Sequence, residues 1–168
     1  MSPAHSDQND PRLVALFDRL NHTSDLTEAA AVSRRIWETW YESANDEVTA
    51  LMSQGEKHLL SRQYDIAAGV FSQVIDLDPN FAEGWNRRAT VYYLMGEYQR
   101  ATEDVNATLK LEPRHFGALS GQGMIYMQLG QKELAIEFME RALEVNPHMS
   151  GVKKNIRLIK KQIEKEII

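Results

Sequence analysis

IDLDPNF (Ile75–Phe81), LKLEPRHF (Leu109–Phe116) and LEVNPHM (Leu143–Met149) each carry a proline, and Pro79, Pro113 and Pro147 stand 34 residues apart. Stepping by 34 brings further columns into register. Ala67, Ala101 and Ala135 align. So do Gly55, Ala89 and Gly123, then Phe71, Val105 and Met139. Leu51, Trp85 and Leu119 form another column, and His58, Tyr92 and Tyr126 one more. Agreement of several columns at one period is the mark of a repeat, and a repeat decides the architecture.

The columns describe a helical hairpin. Each unit opens after a proline, which suits the first turn of a helix, where the missing N–H has no partner to lose. A periodic apolar helix follows, then a short break at SRQY, MGEY and LGQK. Gly96 and Gly130 mark the break in two units, as expected just past a helix C-terminus. A second helix runs to the next proline. The small residues at Gly55, Ala89 and Gly123 let two helices approach closely.

These residues resemble the tetratricopeptide repeat, whose motif runs W-x2-L-G-x2-Y, then A-x3-F, then P. The middle unit matches best, with Trp85, Ala89, Tyr92, Ala101, Val105 and Pro113. It departs at Arg88, where Leu is usual, and at Ala89, where Gly is usual. End to end, the chain is similar to short bacterial proteins with three such repeats. The resemblance implies an all-α, right-handed helical-hairpin solenoid with caps at both ends. Its units are residues 46–79, 80–113 and 114–147.

Terminal repeats expose stacking faces that need covering. At the C-terminal end, residues 148–168, Val152, Ile156, Ile159 and Ile163 make one apolar stripe. Lys153, Lys154, Arg157, Lys160 and Lys161 make the opposite one, so this segment reads as a capping helix with a basic outer face. One further step of 34 toward the N-terminus puts Phe17 in the Trp85 column and Trp37 in the Phe71 column. Residues 11–45 therefore read as an N-terminal cap or degenerate repeat, with Ser24 as N-cap and with Trp37 and Trp40 against the first repeat. Residues 1–10 are polar and expected to be disordered.

Bulk composition sets limits. The chain of 168 residues is 43% apolar and 26% charged, ordinary for one soluble domain. A net charge of −5 argues against nucleic acid as a partner. The charge is uneven: residues 1–45 are net −3, residues 46–147 net −6 and residues 148–168 net +4. No apolar run approaches the ~20 residues of a membrane span. No secretory leader is visible, so the cytoplasm is the default compartment, and the periplasm would require a leader ahead of this chain.

Catalytic patterns are missing. With no cysteine, thiolate nucleophiles and thiolate metal sites are excluded. His5, His22, His58, His115 and His148 show no metal-ligand spacing. The run HFGALSGQG (His115–Gly123) has the glycines of a phosphate loop, but they fall inside a helix rather than ahead of one. No cofactor, no metal and no enzymatic activity are expected.

The resemblance also assigns a binding face, since the first helix of each such repeat lines a concave groove. It carries over to Met52, Glu56 and Leu59 in the first unit and to Asn86, Arg87, Thr90 and Tyr93 in the second. In the third it marks Gly117, Ser120, Gly121, Met124 and Met127. Gly117 and Gly121 are unexplained by the repeat, and each costs about 0.5–1 kcal/mol against Ala inside a helix. A bound backbone coming close would account for them. Methionine suits surfaces that adapt to varied partners, and Asn86, Arg87 and Thr90 offer hydrogen bonds to a peptide. The other reading of these positions is packing within the chain, or cover from its own N-terminal segment. The two-carboxylate clamp of the chaperone-binding subclass is absent, since its positions hold Met52, Glu56, Arg87, Gly117 and Gly121. The expected function is a non-enzymatic module binding a protein or peptide in the groove. The alternative is a structural subunit that self-associates through the groove, the cap helix or the Ile167–Ile168 end.

Overall fold

A computed structural model of the chain describes residues 7–166, and every regular element among them is an α-helix. The order is α1 (Arg12–His22), α2 (Leu26–Tyr41), α3 (Asp46–Leu60), α4 (Tyr64–Leu77), α5 (Ala82–Met95), α6 (Tyr98–Leu111), α7 (Phe116–Gln128), α8 (Lys132–Val145) and α9 (Ser150–Glu166). Helices α5, α7 and α9 start 34 residues apart, and so do α4, α6 and α8. The chain is an all-α solenoid of helical hairpins. No helix among the described residues is long and apolar enough to cross a membrane. The expected self-association through Ile167 and Ile168 falls outside the described residues, as does the expected disorder of residues 1–6.

The turn inside each hairpin repeats to the atom. Gln63, Glu97 and Gln131 donate their N–H to the carbonyls of His58, Tyr92 and Tyr126, each at 2.9 Å. Arg62, Gly96 and Gly130 donate to Leu59, Tyr93 and Met127 at 3.0–3.1 Å. This is the Schellman closure, which needs a left-handed residue just past the helix. Gly96 (φ 77°) and Gly130 (φ 71°) supply it without strain, whereas the first hairpin forces Arg62 to φ 57°.

The prolines sit elsewhere than expected. Helices α5 and α7 begin at Ala82 and Phe116, three residues after Pro79 and Pro113. Each proline follows the C-cap of the preceding helix, Asp78 or Glu112. The prolines therefore stop the second helix of one unit rather than start the next.

Close packing explains the small-residue columns. A Cβ at Gly55 would lie 2.6 Å from the Phe71 ring, and one at Gly123 would lie 2.7 Å from Met139 Cγ. The middle unit instead has Ala89 with the smaller Val105, so the two columns trade volume. Arg88, at the usual Leu position, is bidentate to Asp104 at 2.8 and 2.9 Å and donates to Ser72 Oγ at 2.9 Å. It thereby ties α5 to both α6 and α4.

The N-terminal hairpin departs most from expectation. Residues 7–10 form a turn in which Gln8 and Asp10 are buried, not a disordered tail. Gln8 donates to the Asn80 carbonyl (2.6 Å) and accepts from Ala82 N (3.2 Å). Further along, Phe17 lies under the Arg114 guanidinium, and the Leu20 carbonyl meets His148 Nε2 at 3.0 Å. Asn80, Arg114 and His148 each follow one of the repeat prolines. Helix α1, about 16 Å long at 1.5 Å per residue, therefore runs along the row of inter-repeat loops. Helix α2 is capped by Asp25, not Ser24: its carboxylate accepts from Thr27 N and Glu28 N. Trp37 and Trp40 pack on His115 and Phe116 at the start of α7 rather than on the first repeat. The hairpin lies across the solenoid's inner face instead of stacking as one more unit.

Candidate functional site

Helices α3, α5 and α7 form the inner face, and α2 crosses it. A Cβ on Gly117 would come within 2.5 Å of Trp37 Cη2. The bare backbone at Gly117 thus receives an indole of the same chain. The Trp37 ring is held edge-on by Trp40, His115 and Phe116, with centroids 5.2–5.5 Å apart. Trp40 stacks flat on His115 at 4.1 Å.

Beneath these rings lies a buried polar knot. Glu83 and His115 both have fully buried side chains. His115 Nδ1 accepts from Ala118 N at 3.0 Å, capping α7. Its proton is therefore on Nε2, which donates to Glu83 Oε2 at 2.9 Å. Arg87 Nε donates to Glu83 Oε1 at 2.8 Å, and Asn86 Nδ2 donates to both carboxylate oxygens at 3.2 Å. Burial pushes the Glu83 carboxyl up, but the His115 hydrogen bond and the Arg87 charge outweigh it and hold Glu83 below the usual range. Burial pulls Arg87 down, and the acidic groups around it, Glu83 foremost with Tyr41 and Glu56, more than reverse this. Arg87 also faces Glu56 Oε1 at 3.5 Å and lies 4.7 Å from the Tyr41 ring. Burial drives the Tyr41 phenol well above its ordinary value; its hydroxyl donates to Glu56 Oε2 at 3.1 Å.

A paired His and Glu can serve as an acid/base couple, but a substrate must reach it. This pair has the Trp40 ring on top and helices on the remaining sides. The pair links α5 to the start of α7, and the Trp40 ring of α2 stacks on its imidazole. Glu83 and His115 were legible only as single residues, because 32 residues separate them in sequence.

The twelve groove positions now sort by surroundings. Met52 and Asn86 are buried, and the other ten are partly buried. Glu56, Arg87 and Gly117 belong to the contact with α2, through Tyr41 and Trp37. Asn86 commits its amide to Glu83, Arg87 its Nε, and Thr90 Oγ1 donates to the Asn86 carbonyl, so these polar groups are drawn inward onto the chain itself. Leu59 packs into the core of the first two repeats, and Met52 borders a hollow beside Tyr41. Ser120 Oγ is turned back to the Gly117 carbonyl.

Asn86, Thr90, Tyr93, Gly117, Gly121 and Met124 stay together around an open cavity of ≈ 150 Å³ between α5 and α7, which Gly117 borders beside Trp37 of α2. A Cβ on Gly121 would meet nothing within 4 Å. Met127 lies beyond, against α9. Two glycines four residues apart on one helix thus face different surroundings, one an indole and one open space.

Residues 82–115 and 117–149 each match the tetratricopeptide repeat. The chain is a tetratricopeptide-repeat protein. A TPR repeat-containing protein of Rhizobium etli is 35% identical over 108 residues, which are 64% of this chain and 53% of that one. The chain therefore spans about half the length of that relative. Among solved structures, the first TPR of Spaghetti (RPAP3) bound to an HSP90 peptide superposes with a TM-score of 0.68 at 24% identity, covering 71% of this chain and 94% of that one. The Yersinia enterocolitica type III secretion chaperone SycD, in complex with a peptide of the translocator YopD, gives 0.67 at 16% identity, covering 74% and 98%.

Proposed function

We propose that this tetratricopeptide-repeat protein is a non-enzymatic interaction module. It takes a segment of a partner protein on the strip of inner face that α2 leaves open, across Thr90, Tyr93, Gly121, Met124 and Met127. The observation that carries this reading is Gly121: a Cβ there would meet nothing within 4 Å among the described residues. A helical glycine facing open apolar space gives up stability that Ala would supply, and a docking segment explains the loss. Two solved neighbours, by their own descriptions, hold peptides, which supports a peptide-sized occupant.

The test pairs capture with a variant. A photo-reactive phenylalanine at Tyr93 should crosslink a partner in extracts of the native organism, while the same group at the exposed Gln73 on α4 should not. The identified partner should then bind the parent protein and lose affinity for Gly121→Leu, with the melting temperature preserved. Equal binding by the Leu variant would remove the strip from consideration. Light scattering that shows mass rising with concentration, and falling back for Gly121→Leu, would assign the strip to self-association instead.

A further inference from the structure

The open strip does not end at α7. Helix α9 starts 34 residues after α7, so it extends the row of first helices although no second helix pairs with it among the described residues. The same step carries Ser120, Gly121, Met124 and Met127 onto Lys154, Asn155, Leu158 and Lys161. Contacts show that the helices adjoin. Gln128 Nε2 on α7 donates to Tyr93 Oη on α5 at 3.3 Å, and Asn155 Nδ2 on α9 lies 3.5 Å from Met124 Sδ on α7.

The α9 part of the strip differs in chemistry from the rest. Leu158 is 48% exposed, an uncovered apolar side chain flanked by cations. Lys154, Arg157, Leu158 and Lys161 line a shallow hollow. Lys154, Arg157 and Lys161 have no ion-pair partner among the described residues, whereas neighbouring Lys160 is paired with Glu140 on α8 at 3.0 Å. Glu164, one turn beyond Lys161, is the nearest carboxylate further along the helix. A merely solvated stripe would point away from the groove; the repeat register places Lys154 and Lys161 on the groove side. Residues 148–168 carry net +4 in a chain of net −5, so the positive field is confined to this end.

We propose that the strip receives an acidic segment of a partner protein, with one large apolar side chain seated at Gly121 and Met124 and with carboxylates against Lys154 and Lys161. The inference rests on the groove reading above and adds the partner's chemistry. A lipid surface fits less well, because Lys154 and Lys161 fall at the repeat positions that face inward on α5 and α7. The three cations that line this hollow, in a chain of net −5, are also too few for nucleic acid.

The experiment uses the full chain and fluorescence anisotropy. The probe is a short Glu-rich peptide with a single Phe, acetylated and amidated so that it has no terminal charge. The companions are its Phe→Ala and Glu→Lys counterparts and phosphatidylserine vesicles. The acidic Phe peptide should bind, and more weakly as salt rises. Replacing both Lys154 and Lys161 by Gln should weaken it by about three- to tenfold, as expected for two exposed ion pairs. Gly121→Leu should weaken it at least as much, and Lys160→Gln should leave it unchanged. The proposal fails if the acidic peptide does not bind, if the lysine pair makes no difference, if the Lys-rich peptide binds as well, or if only vesicles bind. A natural partner captured at Tyr93 that ignores the lysine substitutions would leave the groove reading standing and overturn this one.

Discussion

Gly117 and Gly121 should respond to Ala with opposite signs. A methyl at Gly117 would sit 2.5 and 2.8 Å from Trp37 Cη2 and Cζ2 and 3.3 Å from His115 Cε1. The indole cannot swing aside freely, since Trp40, His115 and Phe116 contact it on three sides. Overpacking of this kind costs about 1–3 kcal/mol, offset by about 0.5–1 kcal/mol of helix propensity. Gly117→Ala should therefore cost up to about 2.5 kcal/mol, with about 1 kcal/mol as the central expectation. At Gly121 the methyl meets nothing, and only the propensity gain of about 0.4–1 kcal/mol remains. Urea titrations followed by circular dichroism and by tryptophan fluorescence would measure both, and thermal midpoints should move about 2–4 °C per kcal/mol. Trp37→Phe shortens the ring at the point of collision, so the Gly117→Ala penalty should shrink in that background, with a coupling of about 1 kcal/mol. Equal stabilisation by Ala at both glycines, or a Gly117 penalty indifferent to Trp37, would refute the docking of α2 described above.

Three further outcomes follow. Arg62→Gly should stabilise the first hairpin by a few tenths to about 1 kcal/mol, because it removes a side chain from a left-handed position; a loss of stability in urea titration would contradict that geometry. Arg88→Leu restores the usual residue of the family but strands Asp104, whose side chain is 5% exposed. It should cost about 3–5 kcal/mol, with much of the loss recovered in Arg88→Leu/Asp104→Ala. Glu83 is held below the ordinary carboxylate range in the folded state, so its contribution is present above pH ~4.3 and is lost as pH falls through the lower folded value. Glu83→Gln should thus melt below the parent at neutral pH, with the gap closing in acid; a gap constant down to pH ~2 would show that the knot's charge is immaterial.

The repeat was legible because each column of it is local chemistry. Pro79, Pro113 and Pro147 stop helices, Gly96 and Gly130 take left-handed angles, and Gly55 and Gly123 make room for Phe71 and Met139. Such constraints act within one hairpin and recur at each step. The error over the prolines, read as starting helices rather than ending them, shifted boundaries by three residues and left the architecture untouched.

The N-terminal hairpin was misplaced for a different reason. Stepping back by 34 aligns Trp37 with Phe71, and that alignment holds equally for a stacked repeat and for a helix lying in the groove. What separates the two is the far side of the contact, which no local pattern in the sequence marks. A repeat that merely lines an open groove has no use for a charged Glu83 and a His115 that both end up without solvent exposure. Burying a carboxylate is costly unless a cation and hydrogen bonds meet it, and Arg87, His115 and Asn86 do so only because Trp37, Trp40 and Tyr41 exclude water above them. The knot and its aromatic lid therefore require each other. A partner that needed the groove floor would have to lift α2 and expose the Glu83–Arg87–His115 set to water, while one that docks at Gly121 leaves the knot intact. Occupancy of the strip should accordingly leave the fluorescence of Trp40 unchanged, since its ring is stacked on His115 and only 1% exposed. A change in Trp40 emission on binding, read in a protein with Trp37 and Trp85 replaced by Phe, would mean that the hairpin moves and that the binding surface is the groove floor.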